Sequence, residues 1–323
     1  MRRLFPVTEG TAAQAPRGST ETAGPGAYGE GPDTAGADAA GATPAAAGAG
    51  VPADGADGAP GAGRTARAAA GGPVGAAAAV DREWSLAELA AAYAYPESAP
   101  GAPRPWLRAN MVSSLDGAAQ HEGRSQPLSS AADMRVFGTL RALADVVVVG
   151  AETVRQEAYR PARARAEFAA ARAAAGQAPA PAVAIVTASL ELDFSLPLFT
   201  SPVVPTLILT GAAAPADRVA AAERAGARVV VAGTGAGVDP ARAVRALAGL
   251  GHTRLLTEGG PRLLGQLIEA EVLDELCLTL SPTLTAGDAQ RIAGGPAVAV
   301  PRRFELVSLL EESGFLFGRY RRP

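Results

Sequence analysis

The order of apolar and polar positions from residue 81 onward predicts strands and helices in alternation. Short runs of Val, Ile and Leu indicate buried parallel strands, and apolar residues three or four apart indicate helices. The strands are predicted at 106–113, 145–150, 183–187, 206–210, 229–231, 254–257 and 275–280. The helices between them are predicted at 131–143, 151–157, 163–176, 215–225, 240–247 and 262–270. This alternation calls for a mainly parallel sheet with helices on both faces.

The two ends of this region do not follow the alternation. Residues 81–95 predict an opening helix, because Trp84, Leu86, Leu89 and Tyr93 recur at helical spacing after Ser85, a suitable N-cap. Two closing strands are predicted near 303–310 and 314–320, joined by a short turn and therefore antiparallel. The predicted fold class is α/β, with a mixed, mainly parallel sheet.

The first 80 residues have a different composition, with 26 Ala, 17 Gly and 8 Pro. So few large apolar side chains cannot offset the entropy cost of ordering the chain. We therefore predict a disordered N-terminal segment over residues 1–80 and a folded domain over 81–323. Residues 1–7 are an exception, because Leu4, Phe5 and Val7 could dock on the domain.

Charge and cysteine content exclude several classes of protein. The net charge is −3, which gives no electrostatic reason to expect nucleic acid or an anionic membrane as a partner. The single cysteine, Cys277, excludes a disulfide framework and a cysteine-based zinc site. No apolar run approaches the ~20 residues that span a bilayer, and residues 1–6 lack the apolar core of a signal peptide. We expect a cytoplasmic protein.

The most informative stretch is Glu258-Gly259-Gly260-Pro261, which joins a short apolar strand to a helix. Pro261 suits the first helical position, and the glycines let the backbone approach a ligand closely. A strand, a glycine turn and a free helix N-terminus form a place where backbone N–H groups can hold a phosphate. An ordinary turn with a capping glycine is the alternative interpretation. Glu258 favours a site, because ligands of open α/β sheets sit at the carboxyl ends of strands.

Other polar residues follow the ends of predicted parallel strands, so they are expected to converge at one edge of the sheet. Two more polar residues could join them from the intervening loop and helix. The full set is Ser114, Asp116, Thr153, Glu157 and Glu258, with Ser125 and Arg141. An arginine at such a cleft suggests an anionic group such as a substrate phosphate. The carboxylates could transfer protons.

Two other features are weaker candidates for chemistry. The run 233–237 (Gly-Thr-Gly-Ala-Gly) has Val238 where a dinucleotide fingerprint needs its third glycine, so we interpret it as a loose loop. His121 and His252 stand alone, with no partner at metal-ligand spacing. No metal site is predicted.

Five segments of the chain carry a family resemblance: 110–117 (N-M-V-S-S-L-D-G), the turn at 123–125, 146–154 (V-V-V-V-G-A-E-T-V), 256–264 (L-T-E-G-G-P-R-L-L) and 274–282 (D-E-L-C-L-T-L-S-P). Because these segments occur in this order, the chain from about residue 106 to 320 resembles the pyrimidine reductases of riboflavin biosynthesis. These form the reductase module of the bifunctional riboflavin deaminase–reductase and have a dihydrofolate-reductase-like fold. The likeness is greatest to the stand-alone actinobacterial type.

The resemblance implies an NADPH-dependent reduction of a 5-amino-6-ribosylamino-pyrimidine 5′-phosphate to its ribityl product, with hydride going to C1′ of the opened sugar. It also implies a homodimer. The implied substrate contacts are Ser125, Arg141, Arg163 and Glu258, with the two arginines as phosphate ligands. The implied cofactor contacts are Val112, Thr153, Gly259, Gly260, Pro261, Arg262, Leu263 and Leu264.

Glu157 is the predicted catalytic residue. Hydride transfer to an imine or opened sugar needs a proton donor, and Glu157 lies four residues after Thr153, on the same side of a helical turn. We expect burial beside the nicotinamide ring to keep a fraction of this carboxyl protonated.

The chain departs from the family pattern at two positions. The bifunctional enzymes usually carry Asp where this chain has Glu157, and Trp where it has Pro127. These changes leave the substrate open, including whether the pyrimidine arrives already deaminated. The sequence also lacks the His-x-Glu and Cys-x-x-Cys ligands of the zinc deaminase half.

Two alternative functions remain open at this point. The first is a dihydrofolate or pteridine reductase with the same fold and cofactor. The second is an NADP-binding protein without catalysis, although the joint presence of Ser125, Arg141, Glu157 and Glu258 argues against it, because a pure binder needs no proton donor.

Overall fold

The computed structural model describes residues 1–5, 82–97 and 104–323. Most of the predicted disordered segment, residues 6–80, lies outside these described residues, so that prediction is untested. In the described part, no helix is long and apolar enough to cross a membrane.

The described strands form a single mixed sheet in the order β1-β9-β10-β8-β2-β7-β3-β4-β5-β6. Neighbours from β8 through β2, β7, β3, β4 and β5 to β6 are parallel, and the pairs β1–β9, β9–β10 and β10–β8 are antiparallel. The strands are β1 (Arg2–Phe5), β2 (Trp106–Ser113), β3 (Val146–Gly150), β4 (Ala182–Val186), β5 (Leu207–Thr210), β6 (Arg228–Val231), β7 (Arg254–Thr257), β8 (Glu275–Leu280), β9 (Glu305–Glu312) and β10 (Phe315–Arg321).

Every helix predicted from the sequence is present, with small shifts at the ends. The helices are α1 (Leu86–Ala92), α2 (Ala131–Leu143), α3 (Ala151–Gln156), α4 (Ala166–Ala174), α5 (Pro197–Thr200), α6 (Ala216–Arg224), α7 (Pro240–Gly249) and α8 (Pro261–Glu269). Helix α1 is shorter than the predicted 81–95, because the capping box of Ser85 and Glu88 fixes its start. The one-turn helix α5 and a 3₁₀ turn at Gln126–Leu128 were missed.

Helices cover both faces of the sheet, which confirms the predicted fold class. Alternate residues of the valine strand β3 point to opposite sides: Val146 and Val148 pack with residues of α7 and α8. Val147 packs with residues of α1 and α2, and Val149 with residues of α3, α5 and α6. A strand that is buried on both faces explains why its sequence is continuously apolar instead of alternating.

Strand β1 extends the sheet at the edge formed by β9. Arg2 lies opposite Glu311, and its Nε donates to that carboxylate at 2.6 Å. The side chain of Met1 is buried in the same apolar cluster as Leu89 and Leu310. This strand covers the backbone groups that β9 would otherwise leave unpaired.

A buried charge cluster joins β2, β8, β10 and α1 on the side of the domain away from the strands' carboxyl ends. Glu275 on β8 has no exposed surface, and three arginines meet its carboxylate: Arg108 at 2.7 Å, Arg319 at 2.7 Å and Arg321 at 3.0 Å. Arg108 and Arg319 also donate to backbone carbonyl groups at the end of α1. The cluster therefore ties the opening helix to three strands.

We predict that Glu275→Gln strongly destabilises the fold. The substitution leaves Arg108 and Arg319 buried without their anion, which costs about 3–5 kcal/mol when one partner of a buried ion pair is removed. Chemical unfolding followed by circular dichroism measures this loss. Glu305→Gln, at an exposed position of β9, is the matched control and should change stability by less than about 0.5 kcal/mol. Equal unfolding curves for both variants would contradict the assigned role.

Candidate active site

A cavity of about 390 Å³ opens where the carboxyl ends of β2, β3 and β7 meet. These strands lie side by side and parallel, so the segments that follow them share one edge of the sheet. Seven of the predicted site residues line this cavity: Ser125, Arg141, Thr153, Glu157, Glu258, Gly260 and Pro261. Of the residues expected from the sequence to converge at this edge, five therefore do so: Ser125, Arg141, Thr153, Glu157 and Glu258.

The turn after β7 brings a helix N-terminus to the cavity. Gly259 has a φ of +90°, a conformation that favours glycine, and it accepts a hydrogen bond from Gly150 N–H at 3.0 Å. A Cβ on Gly260 would lie 2.7 Å from Thr153 Oγ1. Helix α8 then starts with Pro261, and no side chain caps it. Its first N–H groups are therefore available to a ligand.

Glu258 is held by two partners from other elements. Arg141 on α2 donates from Nε and from Nη2 to the two carboxylate oxygens, both at 2.6 Å. The hydroxyl of Tyr159 donates to Glu258 Oε2 at 2.5 Å and accepts from Arg141 Nη2 at 2.7 Å. Burial, followed by the Glu258 charge, raises the pKa of Tyr159 well above its usual value. The tyrosine is therefore a neutral donor that fixes the carboxylate.

Aromatic rings support the guanidinium group of Arg141 on two sides. Its central carbon lies 4.3 Å from the ring centre of Phe137 and 5.1 Å from that of Tyr159. Phe137 is one helical turn before Arg141, so the sequence spacing could have identified this pair. Tyr159 could not be identified in this way, because it reaches the site from the loop after α3.

Glu157 faces the same cavity as Thr153, but it is not buried. Its side chain is exposed, so the chain's own residues do not bury this carboxyl, and burial beside the nicotinamide ring stays a prediction. Glu157 Oε1 accepts hydrogen bonds from the backbone N–H and the hydroxyl of Ser125, both at 3.2 Å. These contacts join the loop before α2 to the end of α3 across the mouth of the cavity.

A second cavity of about 270 Å³ adjoins the first and contains an acid that the sequence analysis missed. Asp133, in the first turn of α2, lines it and is 7% exposed. Ser129 Oγ donates to this carboxyl at 2.5 Å and Thr279 Oγ1 at 2.7 Å. Burial raises the pKa of Asp133, and these two hydrogen bonds offset only part of the shift. The sequence does not single out this residue, because a carboxylate in the first turn of a helix is common and interacts favourably with the helix dipole.

Asp116 has a structural role, unlike the proton-transfer role considered for it from the sequence. It accepts hydrogen bonds from Ser114 Oγ at 2.5 Å and from the backbone N–H groups of Thr285 and Ala286. The Ser114 bond is the main reason that its pKa falls to about 2. Asp116 therefore joins the turn after β2 to the loop after β8.

Several predicted contacts lie away from the main cavity. Val112 lines the second cavity, and Arg163 is exposed and lines neither of the two. Leu263 and Leu264 are buried in the core under α8, so only their backbone could meet a ligand. The run 233–237 is a loop, as predicted, and residues 234–237 are exposed. Only its first glycine is closely packed, since a Cβ on Gly233 would lie 2.0 Å from Gly237 O.

The described residues, 1–5, 82–97 and 104–323, contain no group of His, Cys, Asp and Glu side chains that could hold a metal ion.

Comparisons with known proteins identify the family. The model of the RibD C-terminal domain matches residues 105–313, so the chain belongs to this family, and the resemblance drawn from the sequence motifs is confirmed. A pyrimidine reductase-like protein of Corynebacterium diphtheriae has a similar structure, with a TM-score of 0.62 and 28% identity; the match covers 67% of this chain and 91% of that one.

Two curated relatives are both named 2,5-diamino-6-ribosylamino-4(3H)-pyrimidinone 5′-phosphate reductase. The protein from Archaeoglobus fulgidus is 27% identical over 221 residues, which cover 68% of this chain and 100% of the relative. The protein from Methanothermobacter thermautotrophicus is 31% identical over 196 residues, which cover 60% of this chain and 86% of the relative.

Proposed function

We propose that this protein is an NADPH-dependent reductase that converts 2,5-diamino-6-ribosylamino-4(3H)-pyrimidinone 5′-phosphate to its ribityl product. The observation that carries the proposal is that one cavity contains both the uncapped N-terminus of α8 and the Glu258 carboxylate fixed by Arg141 and Tyr159. The first suits a cofactor phosphate and the second a polar heterocycle. The named relatives support the 2,5-diamino form as the substrate.

The cofactor is a nicotinamide dinucleotide, and we propose NADPH. Its phosphates would meet the backbone of Gly259, Gly260 and the first turn of α8, Pro261–Leu264, because helix N-termini attract anions. Thr153, next to Gly260, would contact it through the hydroxyl, and Val112 through the backbone. When bound there, the cofactor would supply a hydride, and the residues that line the cavity would orient the substrate to receive it.

Glu258 would accept hydrogen bonds from the N–H groups of the pyrimidine. Both of its oxygens are held at 2.5–2.6 Å by Arg141 and Tyr159, so its orientation is set before the substrate arrives. Ser125 would contact the sugar from the opposite side of the cavity mouth. Together these residues would bind and orient the substrate.

Glu157 is the proposed proton donor. When hydride adds to C1′ of the opened sugar as an imine, the nitrogen that was doubly bonded to C1′ must gain a proton. Glu157 lines the cavity beside Thr153 and is positioned by Ser125. The cytoplasmic location and the homodimer predicted from the sequence remain predictions.

We predict that the purified protein oxidises NADPH, followed at 340 nm, when it is given the 2,5-diamino substrate. The deaminated pyrimidine phosphate and dihydrofolate serve as comparison substrates, and NADH as comparison cofactor. A preference for dihydrofolate would identify the protein as a pteridine-type reductase. Tight NADPH binding without turnover of any of the three would support a binding protein instead.

Gly260→Ala tests the proposed cofactor position. The new Cβ must displace Thr153 Oγ1 where the backbone would meet the cofactor phosphates. We therefore expect the Kd for NADPH to rise about tenfold or more, which is a loss of at least about 1.4 kcal/mol of binding free energy. Fluorescence titration measures this Kd. Gly249→Ala, at a helical glycine with open space around it, is the control and should leave the Kd unchanged. An unchanged Kd in a folded Gly260→Ala protein would move the phosphate site elsewhere.

Glu157→Gln tests the proton donor, with Asp133→Asn as the rival. Both substitutions keep the side-chain volume and remove the acid. We expect Glu157→Gln to lower kcat roughly 10²–10⁴-fold with little change in NADPH affinity, and Glu157→Asp to retain part of the activity. We expect the kcat of Asp133→Asn to stay within about tenfold of the parental value, because the loss of a general acid lowers kcat by more than about tenfold. The opposite result, a loss in Asp133→Asn alone, would assign the proton to the buried acid.

A further inference from the structure

The β8–β9 loop, residues 281–304, forms part of the wall of the main cavity. Gln290 of this loop lines the cavity together with Glu258, Gly260 and Pro261. None of the site residues expected from the sequence lies in the loop. The contacts that hold the loop therefore decide whether Gln290 can take part in ligand binding.

The second half of the loop is fixed against helix α8. Gly294 N–H donates to Pro261 O at 2.9 Å, and a Cβ on Gly265 would lie 2.0 Å from Gly294 O. Ile292 packs against the apolar cluster under α8. The loop therefore contacts the helix whose N-terminus is the proposed site of the cofactor phosphates.

The first half of the loop is held by Asp116, in the turn after β2. The Asp116 carboxylate accepts hydrogen bonds from the backbone N–H of Thr285 at 3.1 Å and of Ala286 at 2.7 Å. Hydrogen bonds to an ionised acceptor are roughly twice as strong as those between neutral groups. Asp116 lines neither the main cavity nor the second one, so it cannot meet a ligand there itself.

Gln290 is fixed through its backbone, and its side chain remains available. Its carbonyl oxygen accepts a hydrogen bond from Ala119 N–H at 2.7 Å, which joins the loop after β2 to the β8–β9 loop beside the cavity. Among the residues that the structure describes, the Gln290 side chain makes no hydrogen bond. An amide with both a donor and an acceptor is therefore held at the cavity wall.

The cofactor half that enters this cavity must be the half that carries the hydride. The reacting atoms have to come within about 3–3.5 Å of each other, so the nicotinamide ring must lie beside the substrate. The loop contacts α8 only four residues after Gln290, so this side chain reaches the cavity from the cofactor side. Its amide matches the carboxamide and ribose hydroxyl groups of the nicotinamide half.

We propose that Gln290 hydrogen-bonds the nicotinamide half of the bound cofactor and that Asp116 is the positioning residue that holds its loop. This inference rests on the proposed function. Asp116 acts only through the turn of Thr285 and Ala286, which keeps the β8–β9 loop against the loop after β2. Gln290 then meets the cofactor from a wall that is already in place.

The test measures the Kd of two ligands in the full-length protein: NADPH, and adenosine 2′,5′-bisphosphate, which lacks the nicotinamide half. For Gln290→Ala we expect the Kd for NADPH to rise roughly 3–10-fold, the effect of losing one neutral hydrogen bond, and the Kd for the bisphosphate to stay unchanged. Asp116→Ala should show the same two effects.

Asp288→Ala is the matched control. Asp288 is an exposed carboxylate of the same loop, and within the described residues it makes no hydrogen bond or ion pair. This variant should keep the parental Kd for both ligands. Thermal unfolding followed by circular dichroism checks that each variant is folded, and Asp116→Asn replaces Asp116→Ala if the latter does not fold.

Two further measurements show whether Asp116 acts through Gln290. In the double variant Asp116→Ala/Gln290→Ala, the Kd for NADPH should equal that of Gln290→Ala, because residues that act as a unit are not additive. Trypsin should cleave after Arg291 at least about threefold faster in Asp116→Ala than in the parent or in Asp288→Ala, because cleavage follows the population of the detached loop.

Four results would overturn the inference. The first is an unchanged Kd for NADPH in a folded Gln290→Ala protein, and the second is an equal rise for the bisphosphate. The third is additive effects in the double variant, which would separate Asp116 from Gln290. The fourth is a higher KM for the pyrimidine phosphate with an unchanged Kd for NADPH, which would assign Gln290 to the substrate. A parental protein that does not bind NADPH would instead refute the proposed function itself, before any variant is compared.

Discussion

The ion pair between Arg141 and Glu258 is the interaction on which the candidate active site depends. It joins helix α2 to the carboxyl end of β7, and Tyr159 ties the loop after α3 to the same carboxylate. A mostly buried carboxylate is stable only with its cation and hydrogen-bond donors in place. Because three elements must be correctly packed for this to occur, the site forms as a consequence of folding and presents a carboxylate of fixed orientation.

The parallel sheet explains why these elements meet. Strands β2, β7 and β3 run side by side in one direction, so the segments after their ends share an edge, and the glycine turn of Gly259 and Gly260 fits against α3. At the opposite end, the fully buried Glu275 binds three arginines. Buried charge thus serves stability at one end of the domain and orients a ligand-binding group at the other.

Sequence periodicity predicted the longer strands and helices, because burial on one or two faces leaves a direct record in the order of apolar residues. It did not predict the short elements β1 and α5, which are too brief to show a period. The convergence of Glu258, Thr153 and Glu157 also followed from parallel strands alone. The pairing between side chains could not be predicted in this way. The residues around Arg141 in the sequence are the same whether its side chain binds a phosphate or a carboxylate. Tyr159 and the burial of Asp133 depend on loop paths and helix packing, which no local pattern encodes.

The central claim is that this cavity directs a hydride to the sugar carbon of a pyrimidine phosphate. The most direct measurement uses NADPH in which both hydrogens at C4 of the nicotinamide ring are deuterium, with the 2,5-diamino substrate and the purified full-length protein. The account predicts a ribityl product with one deuterium, located at C1′ by NMR and mass spectrometry. A product without the label, or deuterium on the heterocycle instead of C1′, would contradict it.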